Sequence, residues 1–124
     1  MYTPDDILQG LSVFAPQKIG RYVEVHMPLI LDMNKQCLTL RIIPAETGFF
    51  ISDGAYTFED FCESTEYYFR LFSKKYEKMC AGFSVENDAI VKKYEKNTSL
   101  ICAIDEYIRL LITLDKFVSE NGLR

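Results

Sequence analysis

The sequence predicts an α+β fold, and three observations carry that prediction. Short β-branched runs recur at hairpin spacing, from Arg21 to Met27, from Gln36 to Ile43 and from Phe49 to Ser52. Between and after them stand segments with apolar residues at three- and four-residue steps, each preceded by a helix-capping residue. No stretch rich in Pro, Gly or Ser divides the 124 residues, so a single domain spanning 1–124 is expected.

In chain order, Thr3-Pro4-Asp5-Asp6 reads as a helix start. Thr3 caps, Pro4 suits the first helical position, and the aspartates complement the positive end of the helix dipole. Ile7, Leu8, Leu11 and Phe14 mark its apolar face, and Pro16 stops it. The alternating run Arg21 to Met27 is a strand whose pairing Pro28 ends, because proline has no N–H to donate. Asp32 to Lys35 is a turn, and the second strand runs from Gln36 to Ile43 with Leu38, Leu40 and Ile42 on one face. Pro44 to Gly48 is a loop, and Phe49 to Ser52 is the third strand. Such short connections make an antiparallel three-stranded meander.

Asp53-Gly54 turns the chain. Thr57-Phe58-Glu59-Asp60 matches the capping pattern in which a Thr hydroxyl and an acidic side chain satisfy free N–H groups, so a helix is expected from there to Met79, with a break available near Ser64. Its charges run acidic to basic, as the dipole prefers. Phe83 to Val85 and Ala89 to Tyr94 form a second hairpin. Asn97, Thr98 or Ser99 caps the last helix, whose core face is Leu100, Ala103, Ile104, Tyr107, Leu111, Leu114 and Val118. A second apolar flank, Ile101, Ile108 and Ile112, suits burial on both sides or a homodimer through this C-terminal helix. The expected order is α-βββ-α-ββ-α, a three-stranded meander and a second β-hairpin packed with helices.

Composition limits the function classes. A net charge of −4 argues against general attraction to nucleic acid or membranes. No run approaches the roughly 20 apolar residues of a membrane span, and the acidic N-terminus does not read as a signal peptide. Cys37, Cys62, Cys80 and Cys102 are irregularly spaced in apolar surroundings, which predicts buried free thiols, a cytoplasmic location and no zinc site. There is no nucleophile elbow, no phosphate-cradling glycine loop and no motif for a cofactor, and the expectation is a protein that is not an enzyme.

Three constellations remain. Glu24 and His26 share a strand face, and with Asp32 and Asp53 near strand ends they form the candidate set of a metal-dependent hydrolase or nuclease. Turn and surface roles explain the same four residues. The acidic run Glu59, Asp60, Glu63 and Glu66, with Tyr67 and Tyr68, is a candidate partner-binding surface. The pentapeptide Lys-Lys-Tyr-Glu-Lys occurs twice, at residues 74–78 and 92–96. If the copies adjoin in space, Lys74, Lys75, Tyr76, Lys78, Lys92, Lys93, Tyr94 and Lys96 form a basic, tyrosine-bearing patch for nucleic acid.

Tyr22-Val23-Glu24-Val25-His26-Met27-Pro28, the strand Leu38 to Ile43, and Gly48 through Asp60 together resemble a bacterial domain family of prophages and other mobile elements. Its members share an Ile-Ser/Thr-Asp-x-Gly-Tyr-Thr core. Here Gly54-Ala55 stand where that family has Asp-Gly, and an Ile-Leu insertion precedes Asp32. The resemblance implies no catalytic residue. Its setting implies an inhibitor or regulator of a bacterial protein, host-defence systems such as CRISPR–Cas included.

Overall fold

A computed structural model of the chain describes residues 16–33 and 35–123. The helix expected over Ile7 to Phe14 lies outside the described residues. The remainder is an α+β domain of six strands and two helices: β1 Gln17–Ile19, β2 Tyr22–Ile30, β3 Cys37–Pro44, β4 Phe49–Ser52, α1 Thr65–Lys75, β5 Phe83–Glu86, β6 Ala89–Tyr94 and α2 Leu100–Glu120.

Meander and second hairpin are not separate. They join into one antiparallel sheet of order β1-β2-β3-β4-β6-β5, because β6 pairs along β4 from Phe49↔Tyr94 to Ser52↔Val91. The chain therefore leaves the sheet at β4, makes α1, and returns at the outer strand β5 before β6 closes the gap. The short β1 was not expected from the sequence. Gly20 (φ +58°) turns it back onto β2, with Ile19↔Tyr22 as its first pair. Pro28 does not end β2. The register slips between His26 and Ile30, and pairing resumes at Ile30↔Cys37, since a missing N–H interrupts a ladder locally.

Alternation sorts the faces. Val23, Val25, Leu38, Leu40, Ile42, Phe49, Ile51 and Ile90 are buried in a continuous core with the helices. From α2 come Ala103, Ile104, Tyr107, Leu110, Leu111, Leu114 and Val118, the predicted stripe with Leu110 added and Leu100 only partly buried. At roughly 25 cal/mol per Å² of apolar surface, such burial is the main favourable term. Ile108 and Ile112 pack partly against this core, whereas Ile101 is 47% exposed.

Helix α1 starts later than its sequence pattern indicates. Thr57 is buried and caps nothing, and residues 57–60 form turns. The N-cap is Ser64, whose Oγ accepts from the Tyr67 N–H at 3.3 Å. The reason lies upstream: Asp53 claims the chain for a tight turn, accepting from the Ala55 N–H at 3.0 Å and leaving Ala55 left-handed at φ +68°. Ser99 caps α2 in the same way as Ser64 caps α1, accepting from the Cys102 N–H. The cysteine expectation is also corrected. Only Cys80 is buried, its thiol pushed up to about 11 by desolvation, while Cys37, Cys62 and Cys102 are exposed. Each of those three lies at a boundary: a strand's first residue, a bend before α1, and a helix's first turn.

Candidate functional site: the open face of the sheet

The face of the sheet turned away from the core collects the residues that alternate with it. Register places Glu24 opposite Arg41 and His26 opposite Thr39, so four polar side chains converge on two neighbouring strands. Glu24 Oε1 lies 3.2 Å from His26 Nε2, and His26 Nδ1 lies 3.2 Å from Thr39 Oγ1. Glu24 Oε2 is 3.9 Å from Arg41 Nε, close enough for ion pairing but not for a hydrogen bond.

Arg41 is the centre of the site. Its guanidinium carbon sits 4.9 Å from the ring centroid of Tyr22 and 5.2 Å from that of Tyr56, a double cation–π arrangement. Nη2 donates to the Tyr56 hydroxyl at 2.8 Å, while Nε is buried with no hydrogen-bond partner. Gly54 makes the arrangement sterically feasible. At φ +66° it takes a left-handed turn, and a Cβ there would come within 2.9 Å of Arg41 Nε. Beside Arg41 lies a shallow depression of about 380 Å³, floored by Ile43, Phe50, Ser52, Ala89 and Val91.

The four predicted metal-set residues do not assemble. Glu24 and His26 meet, but Asp32 lies in the β2–β3 turn beside Lys35 at 3.5 Å. Asp53 is buried and accepts from the Ile90 N–H at 2.9 Å. Among the described residues, no group of three or more His, Cys, Asp or Glu is placed to hold a metal ion.

The acidic surface is only partly as expected. Glu59, Asp60, Glu63 and Glu66 are exposed, and Tyr67 is half-buried. Tyr68, however, is core: 3% exposed and stacked on Phe58 at 4.5 Å. It faces inward because Thr65, Tyr68 and Phe72 form the buried stripe of α1.

The basic set divides as well. Lys78 and Lys92 do come together, with Arg109, around a groove of about 510 Å³. Lys93 alternates onto the open face beside Phe50, its Nζ 3.4 Å from Thr47 Oγ1. Lys96 is exposed beyond the end of β6. Neither tyrosine is a free stacking platform. Tyr76 packs against Phe72 at 4.7 Å and against Phe117, and Tyr94 is buried on Phe49 at 5.5 Å. Tyr94 and Lys92 both donate to Glu106 Oε1, at 2.8 and 2.6 Å.

Arg41, Tyr22 and Tyr56 were not singled out by sequence reasoning. The alternation of β3 puts Arg41 on the Glu24 face, which was legible. The arrival of Tyr56 was not, because it depends on how the Asp53–Ala55 turn folds back. No family model, curated protein or solved structure matches this chain.

Proposed function

We propose that this protein is a non-enzymatic binding module that inhibits or regulates a bacterial protein, with the Tyr22–Arg41–Tyr56 face as its contact surface. The observation that carries this reading is an arginine held between two tyrosines at the rim of an apolar depression. Tyrosine and arginine are enriched among residues that dominate protein–protein affinity, and an apolar depression accepts a partner's anchor side chain. An arginine already fixed by two rings and a hydroxyl loses little further side-chain entropy on binding.

The surroundings of Glu24 favour binding over hydrolysis. Among the described residues Glu24 pairs with His26 and Arg41, and no second carboxylate joins them to make the usual oxygen-rich cation site. The motif resemblance points to mobile elements, which puts host-defence proteins first among candidate targets.

Affinity capture from a bacterial extract tests this reading with three baits: the parent chain, Arg41→Ala and Phe50→Glu. A protein retained by the parent and lost from both variants is the expected result. Retention undiminished by both substitutions would remove the open face from consideration.

A further inference from the structure

A second surface lies across the core from the open face. The last turn of α1 and the turns after it carry Lys74, Lys75 and Lys78 around a hollow of about 470 Å³. This hollow shares Lys78 and Met79 with the groove that Lys92 and Arg109 complete. Three elements distant in sequence thus bring five cations to one continuous surface, on a chain whose net charge is −4.

Two of the five are already neutralised. Lys92 is held by Glu106 at 2.6 Å, and Arg109 by Asp105 at 2.8 Å. Lys74, Lys75 and Lys78 form no ion pair with the described residues, and all three are exposed. The end of a helix dipole holds them there favourably, and Glu77, the one carboxylate that lines the hollow, offsets only part of their mutual repulsion. Met79, 39% exposed, is a large apolar side chain in the middle of the cluster. A solvated charged face does not need it.

We propose that this surface docks an acidic segment of a partner protein, one that carries an apolar side chain to cover Met79. Charge complementarity sets the sign of the occupant. The tyrosines argue for protein over nucleic acid: Tyr94 is buried, and Tyr76, though it lines the hollow, already has its ring engaged by Phe72, Phe117 and the Lys75 ammonium, so bases would find no open ring to stack on. Lys93 faces the opposite side of the sheet, which shortens the positive track further. The proposal rests on residues separate from the Arg41 face, so either can fail without the other.

The test is an NMR titration of the isotope-labelled protein at low salt with four probes. These are a synthetic peptide of Asp and Glu interrupted by leucines, the same peptide with serines for leucines, and single- and double-stranded oligonucleotides of equal charge. Saturable shifts at Lys74, Lys75, Lys78, Met79 and Ala81 with the leucine peptide are expected, with weaker binding of the other three probes. Replacing Lys74, Lys75 and Lys78 together by Gln is expected to weaken the leucine peptide about tenfold, roughly 1.4 kcal/mol. Met79→Ser should abolish the preference for leucine over serine while leaving the serine peptide's affinity unchanged. The substituted positions are exposed, and circular dichroism checks that the variants fold. Tighter binding by an oligonucleotide, shifts centred elsewhere, an unaltered affinity of the Gln variant, or absence of saturable peptide binding would each overturn the proposal.

Discussion

The carboxylate of Asp53 accepts the backbone N–H of Ile90 at 2.9 Å, where β4 has run out two residues short of the start of β6. β4 ends at Ser52, paired with Val91, so the next N–H of β6 has no strand to face. Asp53 supplies the missing acceptor from its side chain, and the Tyr107 hydroxyl of α2 donates to the carbonyl of the same residue. Ile90 is thereby gripped on both backbone polar groups, and meander, hairpin and helix meet at one residue.

Asp53→Ala leaves the N–H groups of Ile90 and Ala55 without their acceptor in a buried place. A loss of about 2–4 kcal/mol is expected in urea unfolding. Tyr107→Phe is milder, at about 1–2 kcal/mol. The double variant should lose less than the sum of the two, because both side chains order the backbone of the same residue, Ile90.

The two carboxylates anchored near β6 respond to pH in opposite senses. Desolvation raises the Asp53 pKa above its ordinary 3.8, with the Thr57 side chain and the Ala55 and Ile90 amides offsetting part of the rise. Between those two values the folded state binds more protons than the unfolded one. Stability contributed through this group is therefore lost as pH rises through the folded value. Asp53→Asn removes that dependence, so the advantage of the parent over the variant should shrink from acid toward neutral pH in parallel urea titrations.

Glu106 is the converse. Its partial burial raises the pKa, but the Lys92 and Tyr94 hydrogen bonds and the Lys92 charge outweigh that and lower it below 4.5. Its contribution is present above that value and lost as pH falls through the folded pKa. Glu106→Gln should therefore flatten the acid limb of the stability curve, read by thermal unfolding at a series of acidic pH values.

Gly54 and Gly20 both occupy left-handed backbone, at φ +66° and +58°, but only Gly54 has a side chain pressed against it. Alanine at either position carries a conformational cost of about 1–2 kcal/mol. At Gly54 the new Cβ must also displace Arg41 from between its tyrosines. Gly54→Ala should therefore be the more destabilising of the two in urea unfolding. It should also alter the ring-proton shifts of Tyr22 and Tyr56, which Gly20→Ala leaves unchanged.

Ser64→Ala removes the cap of α1 and is expected to cost about 1 kcal/mol. Thr57→Val removes the hydroxyl from a position that caps no helix, so helicity by circular dichroism should be unaffected. A loss of helicity on Thr57→Val would return the start of α1 to Thr57.

The sequence by itself determined what local chemistry decides. The alternation Leu38-Thr39-Leu40-Arg41-Ile42 fixed β3 and its two faces. The three- and four-residue spacing from Ala103 to Val118 fixed the core stripe of α2, and Asn87-Asp88, both left-handed, fixed the β5–β6 turn. Where two local signals competed, the tertiary structure chose. Thr57-x-x-Asp60 is a sound capping pattern, but Asp53 had a stronger use for that segment, because a carboxylate that satisfies Ile90 must first turn the chain at Ala55. The same long-range decision joined the hairpin to the meander through β6 and brought Tyr56 over Arg41. The β4–β6 pairing depends on loop closure across dozens of residues, and Tyr56 reaches Arg41 from 15 residues away only through the turn that Asp53 makes. Of the candidate site, Glu24 and His26 were readable in the sequence, and only the closed sheet joined them to Arg41, Tyr22 and Tyr56 as one surface.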